Sequence, residues 1–314
     1  MKKILILQGG FNEEHKVSLN SSKEIAKALK KLKIYFKILT VNPLTFKEDI
    51  QKYSNNYICF NALHGTFGED GKIQKILKKN NFKVTHSNQY SSSNCFNKIK
   101  SKEIITKNNI ETPKYDVIKI KYIDENYLKK IKNKFGKFIL KPASSGSSNG
   151  LVIIKSNIDL LLFFKTLKKF KLSFKKNEKF LIEQFISGKE LTVSIMKNEL
   201  KYKSLEVTEI VSFNKTYDYQ AKYTKGYSKH FIPARISRKN HKQCLNLSLK
   251  IHKIFKCNTL SRVDFILRKK DNKIFFLEIN SQPGMTKMSL LPEQAKFKKI
   301  KFESIVKELI NNSK

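Results

Sequence analysis

Ser261-Arg262-Val263-Asp264-Phe265 and Leu277-Glu278-Ile279-Asn280 flank a lysine-rich run, Lys269 to Lys273, that contains Asp271-Asn272. The two stretches alternate apolar and polar residues, which predicts strands, and the polar run predicts a turn between them. In an antiparallel hairpin opposed residues keep a constant index sum. Asp264 therefore faces Glu278 in the same register that sets Arg262 against Asn280. Strand side chains alternate with period two, so all four project from one face. Three hard oxygen donors and one guanidinium converge there. Such a set suits Mg²⁺ held against phosphate, with carboxylate oxygens at about 2.0–2.1 Å, while the arginine holds an anion. A solvated hairpin face with cross-strand charge pairs accounts for the four residues equally well.

Outward from the hairpin, the N-terminal third alternates strand and helix. Strands are expected at Lys3 to Gln8, Tyr35 to Thr40 and Tyr57 to Leu63. An amphipathic helix follows Ser18, with Ile25, Ala28, Leu29 and Leu32 on one side, and another runs from about Gly71 to Asn80. This order implies a parallel sheet with helices on its faces. Near residue 95 the texture changes. One helix is expected from Phe96 to about Asn109, then strands around Tyr115 to Lys119, Phe138 to Lys141 and Leu151 to Lys155. Further strands are expected at Phe180 to Gln184, Leu191 to Met196 and Lys201 to Val211. A tyrosine-rich stretch, Tyr217 to Pro233, and a helix from about Ser237 to Lys256 precede the hairpin. The lysine-rich segments Lys168 to Lys179 and Lys296 to Lys301 read as loops or helix ends. The class is α/β followed by α+β.

The chain has 314 residues, 40% of them hydrophobic, and can bury substantial cores in two or three domains. Its formal net charge of +38 invites a nucleic-acid reading. However, the enriched residues are Lys, Asn, Ile and Phe, all with A/T-rich codons, while arginine occurs only at 235, 238, 262 and 268. A genome-wide base bias explains that pattern, and lysines such as Lys23, Lys27, Lys30 and Lys31 fall at the spacing of solvated helix faces. No nucleic-acid partner is expected. Cys59, Cys95, Cys244 and Cys257 lack C-x-x-C spacing, which argues against a zinc site or a disulfide framework. The apolar run after Met1-Lys2-Lys3 stops at Gln8-Gly9-Gly10, so it reads as a strand and not as a signal peptide. No stretch approaches the roughly 18 apolar residues of a membrane span, and the expected location is the cytoplasm.

Three loops carry chemistry. Ser144-Ser145-Gly146-Ser147-Ser148-Asn149-Gly150 follows Lys141-Pro142, and its small residues let backbone N–H groups approach phosphate oxygens. It matches neither the Walker pattern nor the dinucleotide fingerprint, and a plain flexible hairpin fits it too. His64-Gly65-Thr66-Phe67-Gly68-Glu69-Asp70-Gly71 leaves a parallel strand at its carboxyl end, where α/β proteins bind ligands. Gly9-Gly10-Phe11-Asn12-Glu13-Glu14 leaves the first strand at that edge. A carboxylate there holds an amine or caps the following helix.

Taken together, these pieces resemble the D-alanine:D-alanine ligases of the ATP-grasp superfamily over nearly the whole chain. The matching pieces are Gly9-Gly10 with Glu14 and Val17-Ser18, His64-Gly65 with Gly68-Glu69-Asp70-Gly71, and Lys141-Pro142 with Gly146-Ser147-Ser148. Tyr217-Asp218-Tyr219 with Ala221-Lys222-Tyr223 comes next, then Arg262-Val263-Asp264 and Glu278-Ile279-Asn280 with Pro283-Gly284-Met285-Thr286. Asn12, where the family has Ser, Lys75, where a small residue is usual, and Thr259, where Gly or Ala is common, depart from the pattern.

The resemblance implies an N-terminal Rossmann-like substrate domain (1–94) and two ATP-grasp lobes (95–186 and 187–314). It implies ATP-dependent joining of two D-alanines through an acyl phosphate, for peptidoglycan precursors. Lys98 and Lys141 then contact nucleotide phosphates, Glu183 and the Ile186 backbone the adenine, and Glu190 the ribose. Phe185 and Ile186 form an apolar wall. Lys222 closes over the γ-phosphate from a lid that excludes water. Asp264, Glu278 and Asn280 hold two Mg²⁺, with Mn²⁺ as a substitute, and Arg262 and the Gly284 N–H stabilise the tetrahedral oxyanion. Glu14 binds the first ammonium, linked through Ser147 and Tyr223 with His64 nearby. Ser289 and the Leu290 backbone receive the second carboxylate. Tyr223 favours dipeptide over depsipeptide formation, because depsipeptide-forming relatives carry Phe there. The family also suggests a homodimer. The alternative is another ATP-grasp carboxylate–amine ligase with a different substrate pair.

Overall fold

A computed structural model describes residues 2–146, 150–199, 201–212 and 227–314. Ile4, Leu5, Ile6 and Leu7 are all fully buried, as a strand covered on both faces requires. They lie in β1 (Lys3–Gly9), which is followed by α1 (His15–Lys31), β2 (Phe36–Val41), α2 (Phe46–Gln51), β3 (Tyr57–Asn61), α3 (Lys72–Lys79) and β4 (Lys83–Val84). The sheet is parallel in the order β2-β1-β3-β4. α1 starts a turn earlier than expected. Its first turns bury Ser18, Ser21 and Ser22 in place of large apolar residues. Ser18 Oγ accepts from Gly9 N–H and donates to the Ala62 carbonyl, both at 2.8 Å, so hydroxyls dock the helix onto β1 and the exit of β3.

The single helix expected after Phe96 is two, α4 (Gln89–Phe96) and α5 (Lys98–Lys107). Asn97 separates them in an extended conformation (φ −83°, ψ 105°), and its side chain accepts from the backbone N–H groups of Ile99 and Lys100. It is an N-cap, and the chain turns there.

A second sheet contains β5 (Tyr115–Lys119), β6 (Phe138–Pro142), β7 (Val152–Ile154) and β8 (Lys179–Gln184), antiparallel in the order β5-β8-β6-β7. α6 (Glu125–Phe135) and α7 (Asn157–Leu172) cover it, and Ser156 with Asp159 forms a capping box at the start of α7. The lysine-rich 168–179 segment divides between the last turn of α7 and the approach to β8.

A third sheet is antiparallel in the order β11-β10-β9-β12-β13. It comprises β9 (Gly188–Asn198), β10 (Lys201–Ser212), β11 (Ser228–Phe231), β12 (Leu260–Arg268) and β13 (Ile274–Asn280). α8 (Arg238–Ile254) lies between β11 and β12 in sequence, and α9 (Leu290–Phe297) and α10 (Phe302–Asn311) follow β13.

The cores show which parts pack together. Ile4, Ile6 and Phe60 of the first sheet share one cluster with Leu291 and Ala295 of α9 and with Val306 and Leu309 of α10. Cys95, Ile105 and Ile110 bury against Val193, Val263 and Phe276 of the third sheet. The second sheet has a cluster with α6 and α7 that includes Leu128, Phe138, Phe163 and Phe180, and its Leu181 and Tyr115 pack with Ile99 of α5.

Candidate active site

β12 and β13 pair in the expected register, Arg262 opposite Asn280 and Asp264 opposite Glu278, joined by the turn at 269–273. Directly after Asp264 the ladder slips, so Phe265 faces Phe276. The irregularity leaves the four polar side chains on one face and returns the phenylalanines to the core. β9 lies on the other side of β12 and sets Thr192 opposite Asp264, and its Oγ1 donates to Asp264 Oδ1 at 2.6 Å. Arg262 donates from Nε and Nη2 to Asp264 Oδ1 and Oδ2 at 2.9 and 2.7 Å. Asn280 Oδ1 accepts the Gln282 N–H at 2.7 Å, which fixes its amide orientation.

This face forms one wall of a cavity of about 320 Å³. Glu14, His64, Lys98, Lys141, Glu183, Phe185 and Glu190 line it, as do Gly284, Ser289 and Leu290. The cavity thus gathers loops that lie far apart in sequence. Ile186 is half-buried beside Phe185 and is not part of the lining; Ile139, Leu151 and Ile153 complete the apolar wall with Phe185 instead. Ser147, Lys222 and Tyr223 lie outside the described residues.

Glu14 is buried at the start of α1, and a Cβ placed on either Gly65 or Gly146 would collide with its Oε2. Two loops from different sheets therefore close on one carboxylate because they carry glycine. Gly65 also has φ +70°, where a side chain is strained. Asn12, a departure from the family pattern, ties these loops together. Its Nδ2 donates to the carbonyls of His64 and Thr66 at 2.8 and 3.1 Å, and its Oδ1 accepts from Glu14 N–H at 2.9 Å. His64 is buried between Ser21 Oγ, 2.9 Å from Nε2, and Glu69 Oε1, 3.3 Å from Nδ1.

Where α5 meets the second sheet, Lys98 Nζ donates to the Ser145 carbonyl at 2.6 Å and so supports the glycine-serine loop. Lys141 donates to Glu183 Oε1 at 2.6 Å, and Lys102 lies 2.8 Å from Oε2. Burial alone would push the Glu183 carboxyl up, but Lys102 and then Lys141 outweigh it and hold the group below the ordinary carboxylate range. Across the cavity, Ser289 precedes α9, and its Oγ accepts from Thr286 N–H at 3.0 Å.

Lys102, Thr192 and Gln282 escaped the reading from sequence. Lys102 follows Lys98 by one helical turn on α5, a spacing that puts both on one face, but lysine at helical spacing reads as solvated. Gln282 Nε2 donates to the Leu63 carbonyl at 2.6 Å while its Oε1 accepts from Asn61 Nδ2 at 2.8 Å, and no local pattern announces that clasp.

Comparison with known proteins agrees with this geometry. The profile described as D-ala D-ala ligase C-terminus matches residues 104–311. The D-alanine–D-alanine ligase of Pelagibacter ubique is 40% identical, over 99% of this chain and 98% of that protein. The chain belongs to the D-alanine–D-alanine ligase family. Among solved structures of this ligase family, the Bacillus anthracis enzyme superposes with a TM-score of 0.82 at 28% identity, covering 99% of this chain and 97% of that one. The form of the B. anthracis ligase complexed with ATP gives a TM-score of 0.80 at 26% identity, with the same coverage. The three sheets are accordingly those of the ATP-grasp ligases, and the chain is an ATP-dependent ligase.

Proposed function

We propose that this ligase joins two D-alanines into D-alanyl-D-alanine for peptidoglycan precursors. The observation that carries the reading is the convergence in one cavity of Glu14, the Arg262–Asp264–Glu278–Asn280 face and the start of α9. ATP phosphorylates the carboxylate of the first D-alanine. The amine of the second attacks the acyl phosphate and expels phosphate.

Glu14, held between Gly65 and Gly146, receives the first ammonium, and Ser147 and Tyr223 complete that contact with His64 behind it. Ser289 and the Leu290 N–H, at a helix N-terminus, receive the second carboxylate. Lys98 and Lys141 hold nucleotide phosphates, Glu183 and the backbone of Ile186 the adenine, and Glu190 the ribose. Lys222 closes over the γ-phosphate. Arg262 and the Gly284 N–H face the oxyanion of the second step, where preorganised donors act most strongly. Asp264, Glu278 and Asn280 are hard oxygen donors of the kind Mg²⁺ takes; they would hold two such ions, which when bound neutralise charge on the β- and γ-phosphates.

The same reading divides the chain at 1–94, 95–186 and 187–314 and includes a homodimer in the cytoplasm. Among the described residues no helix is long and apolar enough to cross a membrane. The test is phosphate release by purified protein with ATP, Mg²⁺ and D-alanine, against L-alanine, D-lactate and no amino acid. Release that requires D-alanine, with dipeptide formed, supports the reading. ATP binding without release in any arm would point to another substrate pair.

A further inference from the structure

Lys102 has no exposed surface. An ammonium is retained in such a place only when paired, and its partner is unusual. Nζ lies 2.8 Å from Glu183 Oε2 and donates its hydrogen bond to Thr112 Oγ1 at 2.5 Å; Thr112 Oγ1 in turn donates to the Phe276 carbonyl on β13 at 2.9 Å. The other oxygen of the same carboxylate, Oε1, takes Lys141 at 2.6 Å. Two lysines therefore share one buried glutamate. An ammonium has three N–H donors, so Lys102 serves Thr112 and Glu183 Oε2 at once.

The two lysines differ in what they can reach. Lys141 lines the cavity, whereas Lys102 does not and is tethered to Thr112. We propose that Lys102 is the standing counterion of Glu183, and that by holding that charge it frees Lys141 to leave the carboxylate for the nucleotide phosphates. Without Lys102, movement of Lys141 would strand a buried anion, a costly state that keeps Lys141 locked in place. With Lys102, the cluster carries a surplus positive charge that a phosphate can claim. Burial lowers Lys102 to about 8 against the pull of Glu183 and, more weakly, Glu278, with Lys141 adding to the lowering, so it stays charged at neutral pH. Lys102 acts through two other residues and is a positioning residue. The inference rests on the ATP half of the proposed function.

Lys102→Met keeps the length and removes the charge. Affinity for ATP and ADP should fall about tenfold to a hundredfold, the effect of one lost charge-assisted hydrogen bond, while adenosine and D-alanine binding should stay within about twofold. Adding Glu183→Gln removes the stranded anion and keeps an acceptor oxygen. Because Glu183 is also assigned to the adenine, the double variant is read by the ratio of ATP to adenosine affinity, which should return to the wild-type value. In the double variant the one charge left in the cluster is Lys141, which lines the cavity and can be solvated there, so the variant carries the test even where Lys102→Met alone fails to fold. Equal loss of adenosine and ATP in the single variant, or a lost ATP preference in the double variant, would overturn the proposal. Wild-type nucleotide binding without D-alanine-dependent turnover would remove the D-alanine pair and leave this inference intact.

Discussion

Arg262 grips Asp264, two residues further along β12, with its Nε on one carboxylate oxygen and its Nη2 on the other, at 2.9 and 2.7 Å. The residue assigned to the oxyanion and a residue assigned to the metal thus hold each other. Under the proposed assignment, a cation on Asp264 would compete with this grip for the carboxylate oxygens.

Arg262→Lys keeps the charge and loses the planar fork. Turnover should fall by about 100- to 1000-fold, as for one oxyanion donor, with ATP affinity largely kept. Steady-state kinetics beside an ATP titration check this, and a loss below about tenfold would remove the oxyanion role.

Thr192→Val removes the hydroxyl that donates to Asp264 at 2.6 Å and keeps the shape of the strand. Groups that orient metal ligands are worth about 10- to 100-fold in metal affinity. The Mg²⁺ concentration for half-maximal rate should rise by about that factor, with the KM for D-alanine unchanged. An unaltered Mg²⁺ titration would argue that Asp264 is not a metal ligand.

Gly65→Ala places a methyl group against Glu14 Oε2 at a backbone position with φ +70°. The carboxylate must shift, so the KM for D-alanine should rise about tenfold or more, the effect of a weakened charge-assisted hydrogen bond. ATP affinity, measured separately, should not follow. A parallel loss of both would show general damage to the fold.

Burial lowers His86 to about 3, with His64 adding to the effect, and lowers His252 to about 4, with Lys253 adding. Unfolded imidazoles titrate near 6.5. Between 6.5 and 4 the unfolded chain takes up protons that the folded one refuses, so stability falls as pH is lowered through that window. Tm measured against pH should show the decline, and His252→Asn should reduce its slope by about half, His86 keeping the rest. An unchanged slope in that variant would assign the decline to other groups.

The hairpin was readable because period-two alternation and a polar turn leave few registers open. Its slip after Asp264 was not, since Leu277 and Phe276 are apolar either way and only the packed sheet chooses between them. The early start of α1 stayed hidden because serines pack its first turns. α7 escaped because Leu160 to Phe164 is a continuous apolar run, with Leu161 and Leu162 left exposed, so no single face stands out. The cavity residues were placed by motif, while Lys102, Thr192 and Gln282 depend on contacts between distant segments. Gln282, for example, meets Asn61 across 221 positions of sequence.

That clasp between Gln282 and the strand end at Asn61 and Leu63, reinforced by the core shared by the first sheet, α9 and α10, works as a fixed gauge. The span from Glu14 to the hairpin is set before any nucleotide arrives. The second sheet builds most of its core apart from that one and meets α5 through Leu181, Tyr115 and Glu183, while its loop at Gly146 reaches Glu14. Whatever binds between Glu14 and the hairpin meets a spacing fixed by packing, and one glycine contact joins the second sheet to it.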